Sequence, residues 1–496
     1  MQVLRSKVAH CISILHSSFK AIGAIILAAL MIAIVSAGTL VVAQGSSWSV
    51  PVRFFEVEDG GNVQFPVLVT DSGTNLHAFW GAAMTEGQSM ALYHSRWQDD
   101  NWTEPVDVLL SPDDGDIWPF SARVDENDYV HVFWASGGQL WHSVAHVSLL
   151  DDARQWAQPE MVPTDQEPFT TIAVTQDANG VWYLVYSNRT LDTISLLKSE
   201  DGANSWVPFS TVYRSASPET WVGYPRIVVA PDGTLWISWR QMEPGTGSSR
   251  GLAYARSEDG GQTWSESEQL VDGYYFGGFE VVGDIMIKAY GGGIGTGGRY
   301  ISFSYDSGTN WTQLVNIGMG GGEGAQAIDL AIDSAGMWHF VEQTGNSFAT
   351  VTWENSRWSE PQFVITPEDL QRCCITATGV TENATAGISD GNLLHVIFEQ
   401  DNHVLWYTSR ELSAPKFASQ LLLPLQSSES NSAPTGSYAT VPAQSPTAVL
   451  APTPLPWQSD ITPPTSLPAV APLLIAAAPV LILVGLVIAL RIRRSR

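Results

Sequence analysis

The chain has only three cysteines and five lysines among its 496 residues. Cys11 lies in an apolar leader and the other two form the adjacent pair Cys373-Cys374, which excludes a scaffold of disulfides. The sequence predicts no cofactor and no metal, with calcium at acidic turns as the alternative. The formal net charge of −26 excludes a nucleic-acid partner, because such a surface repels phosphate.

Long stretches of helical periodicity are also missing from the middle of the chain. In their place the sequence has 20 tryptophans, 43 glycines and 28 prolines. This composition is typical of short aromatic strands joined by tight turns. The predicted fold class is therefore all-β.

Two apolar segments lie near the ends of the chain. Residues 1–43 contain an apolar run after three basic residues, which predicts either a signal peptide or an uncleaved N-terminal anchor. Residues 469–490 carry no charge and precede four arginines in 491–496. About 21 apolar residues cross a hydrocarbon core of ~30 Å, and a basic tail stays in the cytoplasm. We expect a single-pass membrane protein whose middle part is extracytoplasmic.

The segment before this predicted transmembrane helix differs from the rest in composition. Residues 412–468 are rich in Ser, Pro, Thr and Ala, so they cannot bury enough apolar surface to fold and predict a disordered stalk. All 50 acidic residues lie between Glu56 and Asp460, whereas seven of the 24 basic residues lie in the two ends. The extracytoplasmic part therefore carries a formal charge of −33.

Residues 44–411 contain an internal repeat. A tryptophan returns at intervals of 47 to 58 residues, and a turn rich in Asp, Asn and Gly keeps step with it before a β-rich strand. Each unit predicts a four-stranded blade, and radial stacking of blades covers the two faces of each small sheet. The predicted fold is a β-propeller of about seven blades, with six as the alternative. The repeating tryptophans are Trp48, Trp102, Trp156, Trp206, Trp264, Trp311 and Trp358.

The two ends of the repeat region predict how the ring closes. The region begins with a strand at Trp48 that has no partner unit, and its last unit, near Asp390 to Arg410, has no tryptophan strand after it. We expect the N-terminal strand to complete the last blade.

Three histidines recur in step with the turns, at positions 77, 131 and 395. We assign them to the repeat position that Trp182, Trp236 and Trp338 occupy in other units. A position shared with tryptophan indicates packing within a blade rather than metal or ligand binding.

Three of the turns carry the pattern Ser-x-Asp-x-Gly-x-Thr-Trp. The copy at 257–264 matches every defined position, the copy at 304–311 departs only at the Thr, and the copy at 199–206 has Ala203 for the Gly and Ser205 for the Thr. This pattern is the Asp box, and the region resembles the sialidase (neuraminidase) superfamily. In that family the box joins the last two strands of a blade. The matching residues are Ser199, Asp201, Trp206, Ser257, Asp259, Gly261, Thr263, Trp264, Ser304, Asp306, Gly308 and Trp311.

The residue types in the Asp box indicate a structural role. An aspartate can accept backbone N–H bonds within its own turn, glycine supplies a positive φ, and tryptophan packs the turn onto neighbouring strands. We therefore do not interpret the three aspartates as catalytic.

The resemblance implies chemistry elsewhere, on the first strand of each blade. Sialidases hold the substrate carboxylate with three arginines and use a tyrosine nucleophile with a glutamate and an aspartic acid/base. Residues of these types on the predicted channel-lining strands are Arg123, Arg226, Arg372, Glu280, Asp329 and Tyr224. Three features depart from the family. A seventh blade is predicted in place of six, and Tyr224-Pro-Arg-Ile lies in mid-chain where the family has Phe/Tyr-Arg-Ile-Pro near the start. No tyrosine–glutamate pair can be aligned with that of the family.

These observations lead to two hypotheses about function. The first is a membrane-tethered recognition domain that binds a glycan or protein ligand without sialidase catalysis. The alternative is an exo-acting glycoside hydrolase that removes a terminal acidic sugar. A scaffold for assembly or adhesion is a third class.

Overall fold

The structure is a computed structural model that describes residues 47–417, except 118–119, 274, 293–298, 318–328, 345–346, 355–356 and 366–380. The predicted leader and transmembrane helix, residues 418–468 of the predicted stalk, the Cys373-Cys374 pair and Arg372 lie outside the described residues. The first six residues of the predicted stalk, 412–417, are described and bond to the propeller, since the Phe417 amide donates to the carbonyl of Asp390 (3.0 Å). Within the described part, no helix combines the length and the hydropathy needed to cross a bilayer.

The described chain forms seven antiparallel sheets, one for each predicted repeat. The first strand of every sheet begins after a loop and is followed by two strands in simple hairpin order. The strands of the first three blades are β2 (Asn62–Thr70), β3 (Leu76–Ala83), β4 (Ala91–Gln98), β5 (Asn101–Trp102) and β6 (Val106–Leu109); β7 (Phe120–Val124), β8 (Tyr129–Ser136), β9 (Gln139–His146) and β10 (Glu160–Val162); and β11 (Pro168–Gln176), β12 (Trp182–Asn188), β13 (Thr193–Ser199) and β14 (Val207–Arg214).

The remaining four blades follow the same order. Their strands are β15 (Trp221–Val229), β16 (Leu235–Met242), β17 (Ser249–Ser257) and β18 (Glu268–Asp272); β19 (Tyr275–Val282), β20 (Ile285–Gly292), β21 (Arg299–Ser304) and β22 (Val315–Asn316); β23 (Asp329–Ile332), β24 (Trp338–Thr344), β25 (Ser347–Glu354), β26 (Arg357–Trp358) and β27 (Gln362–Phe363); and β28 (Thr381–Ser389), β29 (Leu393–Gln400), β30 (Val404–Glu411) and β1 (Val52–Glu56). Two short 3-10 helices, Val147–Leu149 and Ala153–Gln155, lie between β9 and β10.

The first strand of each blade lies innermost, because first strands of neighbouring blades contact one another: β2 contacts β7 and β28, and β15 contacts β11 and β19. This arrangement is a seven-bladed β-propeller, so the predicted fold and the blade count are confirmed. The candidate site residues on β7, β15, β19 and β23 therefore lie on channel-lining strands.

Strand β1 closes the ring. It pairs antiparallel with β30 of the last blade, in a register that aligns Val52 with Tyr407 and Glu56 with Val404. The prediction that the N-terminal strand completes the last blade is confirmed.

The core consists of side chains packed between adjacent blades. One cluster joins Phe79 and Leu92 of the first blade to Val132 and Trp134 of the second, all fully buried. Successive side chains of a strand point to opposite faces of the sheet. One set therefore packs on the preceding blade, and the other set packs on the following blade. This stacking explains why the second strands, such as β3 and β12, are buried along their whole length.

Both ends of the described chain lie at the same face of the propeller. The Ser49 amide donates to the carbonyl of Ser409 (2.8 Å), and the Leu412 amide donates to the carbonyl of Asn392 (2.7 Å). This face also carries the turns between first and second strands and between third and fourth strands, and we call it the turn face. The opposite face carries the loops between second and third strands and the loops that join one blade to the next.

Candidate functional site

The three Asp-box turns, residues 199–206, 257–264 and 304–311, lie on the turn face between third and fourth strands. Asp259 accepts hydrogen bonds from the Thr263 amide (2.9 Å), the Thr263 hydroxyl (2.6 Å) and the Ser257 hydroxyl (2.7 Å). These bonds, that of the Thr263 hydroxyl above all, lower the pKa of Asp259 to about 2. Its lone pairs are directed into its own turn rather than toward the channel.

The other two turns have the same internal bonds with different partners. Asp306 accepts from the Asn310 amide (2.8 Å) and side chain (2.7 Å), so asparagine replaces threonine there. Asp201 accepts from the Ser205 amide (2.9 Å) and hydroxyl (2.6 Å). The two departures from the pattern at the threonine position therefore keep the hydrogen bond that the threonine would make.

The fifth position of each turn has a left-handed backbone. Gly261 and Gly308 have φ values of +90° and +89°, and Ala203 has +65°. Alanine at positive φ is strained, so the first turn pays a conformational cost that glycine avoids in the other two. The carbonyl of Ala203 accepts a bond from the Trp206 indole (3.1 Å), as that of Gly308 does from Trp311 (3.0 Å).

We expect Gly308→Ala to lower the free energy of unfolding by about 2–4 kcal/mol, the sum of backbone strain and overpacking. A Cβ at Gly308 would lie 2.3 Å from Cζ2 of Trp236. Gly233→Ala is the matched control, because its φ is +88° but a Cβ there meets nothing within 4 Å. Urea unfolding of both variants separates the two costs. Equal losses in the two variants would show that packing on Trp236 contributes nothing.

The recurring histidines are buried and bonded within their blades. His77 contacts His94 (Nδ1 to Nε2, 3.2 Å) and Asp71 (3.3 Å), and His395 contacts Tyr407 (2.9 Å). His131 contacts His142 at 3.0 Å. All the ring nitrogens named here face protein groups rather than the channel.

The assignment of Trp182 and Trp338 to the histidine position was wrong by one residue. The turn that begins at Asp71 places His77 six residues later, and the turns at Asp177 and Asp333 place Tyr183 and His339 at that distance. Because neighbouring residues of a strand point to opposite faces, both tryptophans belong to the other face, in cores between blades. His339 contacts Asp333 at 3.0 Å, and its spacing from Asp333 was the sequence signal for it.

Arg226 and Glu280 come together on neighbouring inner strands, β15 and β19. Nη1 of Arg226 lies 3.6 Å from Oε1 of Glu280, and the two side chains are 31% and 32% exposed. Gly278 makes room for the arginine, because a Cβ there would lie 3.1 Å from Cδ of Arg226. The pair therefore lines the channel and is open to a ligand.

Arg123 extends the same cluster from β7. Its side chain is exposed, and Nε donates to the carbonyl of Val174 on β11 (3.2 Å), which bridges to the third blade. Burial between the surrounding strands raises the pKa of Glu280, and the positive charges of Arg226 and Arg123 oppose that rise. Two accessible guanidinium groups and one carboxyl group thus share the channel.

Arg299 on β21 is a fourth charged residue of this region, and the sequence analysis did not single it out. It is 1% exposed, and burial together with the charge of Arg226 lowers its pKa to about 9. Its guanidinium packs on Gly291, where a Cβ would lie 2.8 Å from Cζ. In the sequence Arg299 is recognisable only as a basic residue that follows a glycine-rich segment. That pattern does not predict that its side chain is buried.

Tyr224 and Phe65 occupy equivalent strained bulges in β15 and β2. Both precede proline, both have a φ of +53°, and the strand register shifts at both positions. The Tyr224 amide donates to Thr171 Oγ1 (3.2 Å) and the Phe65 amide to Glu399 Oε2 (3.3 Å). Strained bulges cost about 1–3 kcal/mol each and are frequent beside functional sites, where they re-aim a side chain.

The ring of Tyr224 lies against Arg240 rather than beside a glutamate. Its centroid is 4.2 Å from Cζ of Arg240. A tyrosine–glutamate hydrogen bond does occur between Tyr254 and Glu268 (2.7 Å), but on the outer strands β17 and β18. Asp329 lies on β23 at the channel, and its side chain is outside what the structure describes, as is the whole of Arg372. Among the described residues, no group of three or more His, Cys, Asp or Glu could hold a metal ion.

The fold and the channel cluster define the class of the protein as a seven-bladed β-propeller with a charged central channel. No model of a protein family matches the chain, and no curated protein matches it. Solved structures that resemble it include an ulvan lyase of a polysaccharide lyase family (13% identity, TM-score 0.48, covering 73% of this chain and 95% of the lyase).

Two further solved structures show a similar degree of likeness. The NanB sialidase of Streptococcus pneumoniae is 12% identical, with a TM-score of 0.39 over 73% of this chain and 70% of the sialidase. An alpha-L-arabinanase of Penicillium chrysogenum is 11% identical, with a TM-score of 0.45 over 74% of this chain and 100% of the arabinanase. Likeness at this level carries no information on activity, and the fold assignment rests on the strand pairing.

Proposed function

We propose that the protein is a membrane-tethered recognition domain that binds a glycan or protein ligand through an anionic group at the channel. The observation that carries this proposal is the convergence of Arg226 and Arg123 on one accessible carboxyl group, Glu280. Guanidinium groups bind carboxylates and sulfates through paired, charge-assisted hydrogen bonds.

The charge of the whole molecule supports a specific role for these arginines. The protein carries a formal net charge of −26, so its outer surface repels anions at a distance. Arginines on the outside, such as Arg154 and Arg189, are paired with Asp152 (2.8 Å) and Glu167 (2.7 Å). An anion that reaches the channel meets the cations of Arg226 and Arg123 there.

The position of the chain ends supports the tether. Both ends of the described chain leave on the turn face, so the chain continues from that face toward the predicted stalk and transmembrane helix. This proposal includes the membrane anchor at 469–490 and an extracytoplasmic location for the propeller.

The alternative function, hydrolysis of a terminal acidic sugar, has one observation in its favour. Burial raises the pKa of Glu280, as an acid catalyst requires. The described channel strands do not contain a tyrosine nucleophile activated by a glutamate. Tyr224 contacts Arg240 instead. We therefore favour binding over catalysis.

We expect Arg226→Ala to weaken binding of sialic acid or glucuronate by about 10- to 100-fold, the effect of losing one charge-assisted pair. Arg154→Ala is the matched control, since Arg154 is 86% exposed and pairs with Asp152. Calorimetric titration of the full chain with both acids measures the change. Equal affinities in the two variants would contradict the proposed site. Release of the fluorophore from an aryl sialoside by the unmodified protein, and its loss in Arg226→Ala, would favour the hydrolase.

A further inference from the structure

We propose that Glu280 is an internal competitor for Arg226, so that the channel binds a strong-acid anion more tightly as the pH falls. This inference rests on the proposed function and adds to it the kind of anion and the condition that controls its uptake. It assigns Glu280 a positioning role, because the carboxylate acts on the ligand through Arg226.

The geometry places the carboxylate where an incoming anion would bind. Oε1 of Glu280 lies 3.6 Å from Nη1 of Arg226. This distance is short enough for an ion pair but too long for a hydrogen bond. Both side chains are about one-third exposed, at 31% and 32%. A pair that is loose and open to solvent can be separated by a competing anion at a cost of no more than about 1 kcal/mol.

The backbone fixes both members of the pair. Arg226 follows the strained bulge at Tyr224 in β15, and its aliphatic part packs on Gly278, two residues before Glu280 on β19. The Cβ atoms of both residues are therefore held in place, and only the ends of the side chains can move. A ligand anion and the Glu280 carboxylate must consequently share one guanidinium.

The charged groups on the strands around β19 fall into two sets. Arg226 of β15 and Arg123 of β7 act on Glu280, and Arg299 of β21 acts on Arg226. The other cations of neighbouring strands lie over aromatic rings or pair elsewhere: Arg240 over Tyr224, Arg256 over Trp236, Lys288 over Trp311, and Arg250 with Glu243. Glu280 is thus a described carboxylate on which both Arg226 and Arg123 act.

Protonation of Glu280 has two effects of the same sign. It removes the charge with which Glu280 holds Arg226, and it removes a negative charge that repels the ligand. Burial raises the pKa of Glu280, so the proton is taken up above the ordinary range of a glutamate. An ionised Glu280 disfavours the bound anion and a neutral one does not, so affinity rises as the pH falls.

This linkage selects the chemistry of the ligand. An anion that takes up a proton as readily as Glu280 would lose its own charge when Glu280 does. A sulfate ester or a carboxylic acid of unusually low pKa stays ionised. The channel therefore fits a strong-acid anion, for which inorganic sulfate is a simple probe.

The experiment is calorimetric titration of the full chain with sodium sulfate between pH 8.0 and 5.5, for the unmodified protein, Glu280→Gln, Glu268→Gln and Arg226→Ala. We expect Glu280→Gln to bind sulfate at pH 8.0 about fivefold more tightly than the unmodified protein, as the loss of one exposed ion pair implies. The affinity of the unmodified protein should rise toward that of Glu280→Gln as the pH falls, because protonation removes the same charge that the substitution removes. Near-ultraviolet circular dichroism at each pH confirms that the proteins stay folded.

Glu268→Gln controls for the general loss of negative charge on acidification, because Glu268 bonds Tyr254 on the outer strands. It should keep the pH dependence of the unmodified protein. If Glu280→Gln has the same affinity and pH dependence as Glu268→Gln, the role of Glu280 is overturned while the anion site stands. If sulfate binds neither the unmodified protein nor Glu280→Gln at any pH, the anion site itself is wrong and the inference fails with it. The same conclusion follows if Arg226→Ala binds sulfate as tightly as the unmodified protein does.

Discussion

Acidification from pH 8 to pH 5 is expected to lower the free energy of unfolding of the propeller by about 6 kcal/mol, or about 2 kcal/mol for each of three buried histidines. Burial lowers the pKa of His94 to about 4, of His142 to about 3 and of His395 to about 3. The expected loss is a large part of the roughly 5–15 kcal/mol that keeps a typical domain folded.

The sign follows from the protonation states. In the unfolded chain a histidine takes up a proton near pH 6.5, whereas in the folded protein these three stay neutral until the pH approaches 3 to 4. Below pH 6.5 the unfolded state therefore binds more protons, and stability is lost progressively as the pH falls. Asp71 and Asp125 have lowered pKa values and remain ionised over this range, so they do not produce the loss.

Urea unfolding at several pH values from 8 to 5 measures this dependence. His142→Gln removes one titrating ring that contacts His131 at 3.0 Å, so we expect it to reduce the loss between pH 8 and 5 by about one third. His403→Gln changes a histidine that is not fully buried and serves as the control. A protein whose stability is unchanged between pH 8 and 5 would contradict the neutral state of the three rings.

Replacement of Phe54 and Phe55 together by alanine is expected to lower the free energy of unfolding by about 4 kcal/mol. The double substitution removes two half-buried phenyl groups from β1, the strand that closes the propeller. The ring centroid of Phe54 lies 5.1 Å from that of Trp80 and 5.3 Å from that of Trp102. The ring centroid of Phe55 lies 5.0 Å from that of Tyr93. Without these contacts β1 is held to β30 mainly by its backbone hydrogen bonds, and the first and last blades can separate.

Val52→Ala is the matched control for this variant. Val52 lies on the same strand but is 54% exposed, so its truncation is expected to change stability by less than about 0.5 kcal/mol. Urea unfolding followed by tryptophan fluorescence compares the two. A double variant that stays within 1 kcal/mol of the unmodified protein would show that closure does not depend on these rings.

The repeat made the architecture predictable. The seven tryptophans and their accompanying turns recur every 47 to 58 residues, and a blade is formed almost entirely from such contiguous segments, as the hairpin order of the sheets shows. Ring closure could be predicted for the same reason. The strand near Trp48 precedes the first complete repeat, and the last repeat, near Asp390 to Arg410, has no fourth strand of its own. Local patterns were sufficient wherever the contacts are local.

Single positions within the repeat were predicted less well. The histidine series was aligned to Trp182 and Trp338, although the turns place Tyr183 and His339 there. A shift of one residue reverses the face to which a strand side chain points. Similarly, Phe54 and Phe55 are adjacent and yet both pack inward, because the register shifts between Arg53 and Phe55, and the sequence shows no sign of that bulge.

The sequence by itself determined the all-β class, the strand that closes the ring and the chemistry of the Asp-box turns, since these depend on residues close together in the chain or repeated at a fixed period. It predicted about seven blades with six as the alternative, and the sheets of the structure number seven. Only the tertiary structure decided which charged side chains meet in the channel. Arg226 and Glu280 lie on different blades, 54 residues apart in the sequence, and Arg299 is buried behind them. Their proximity depends on bulges, glycine contacts and ring geometry that bring distant strands together.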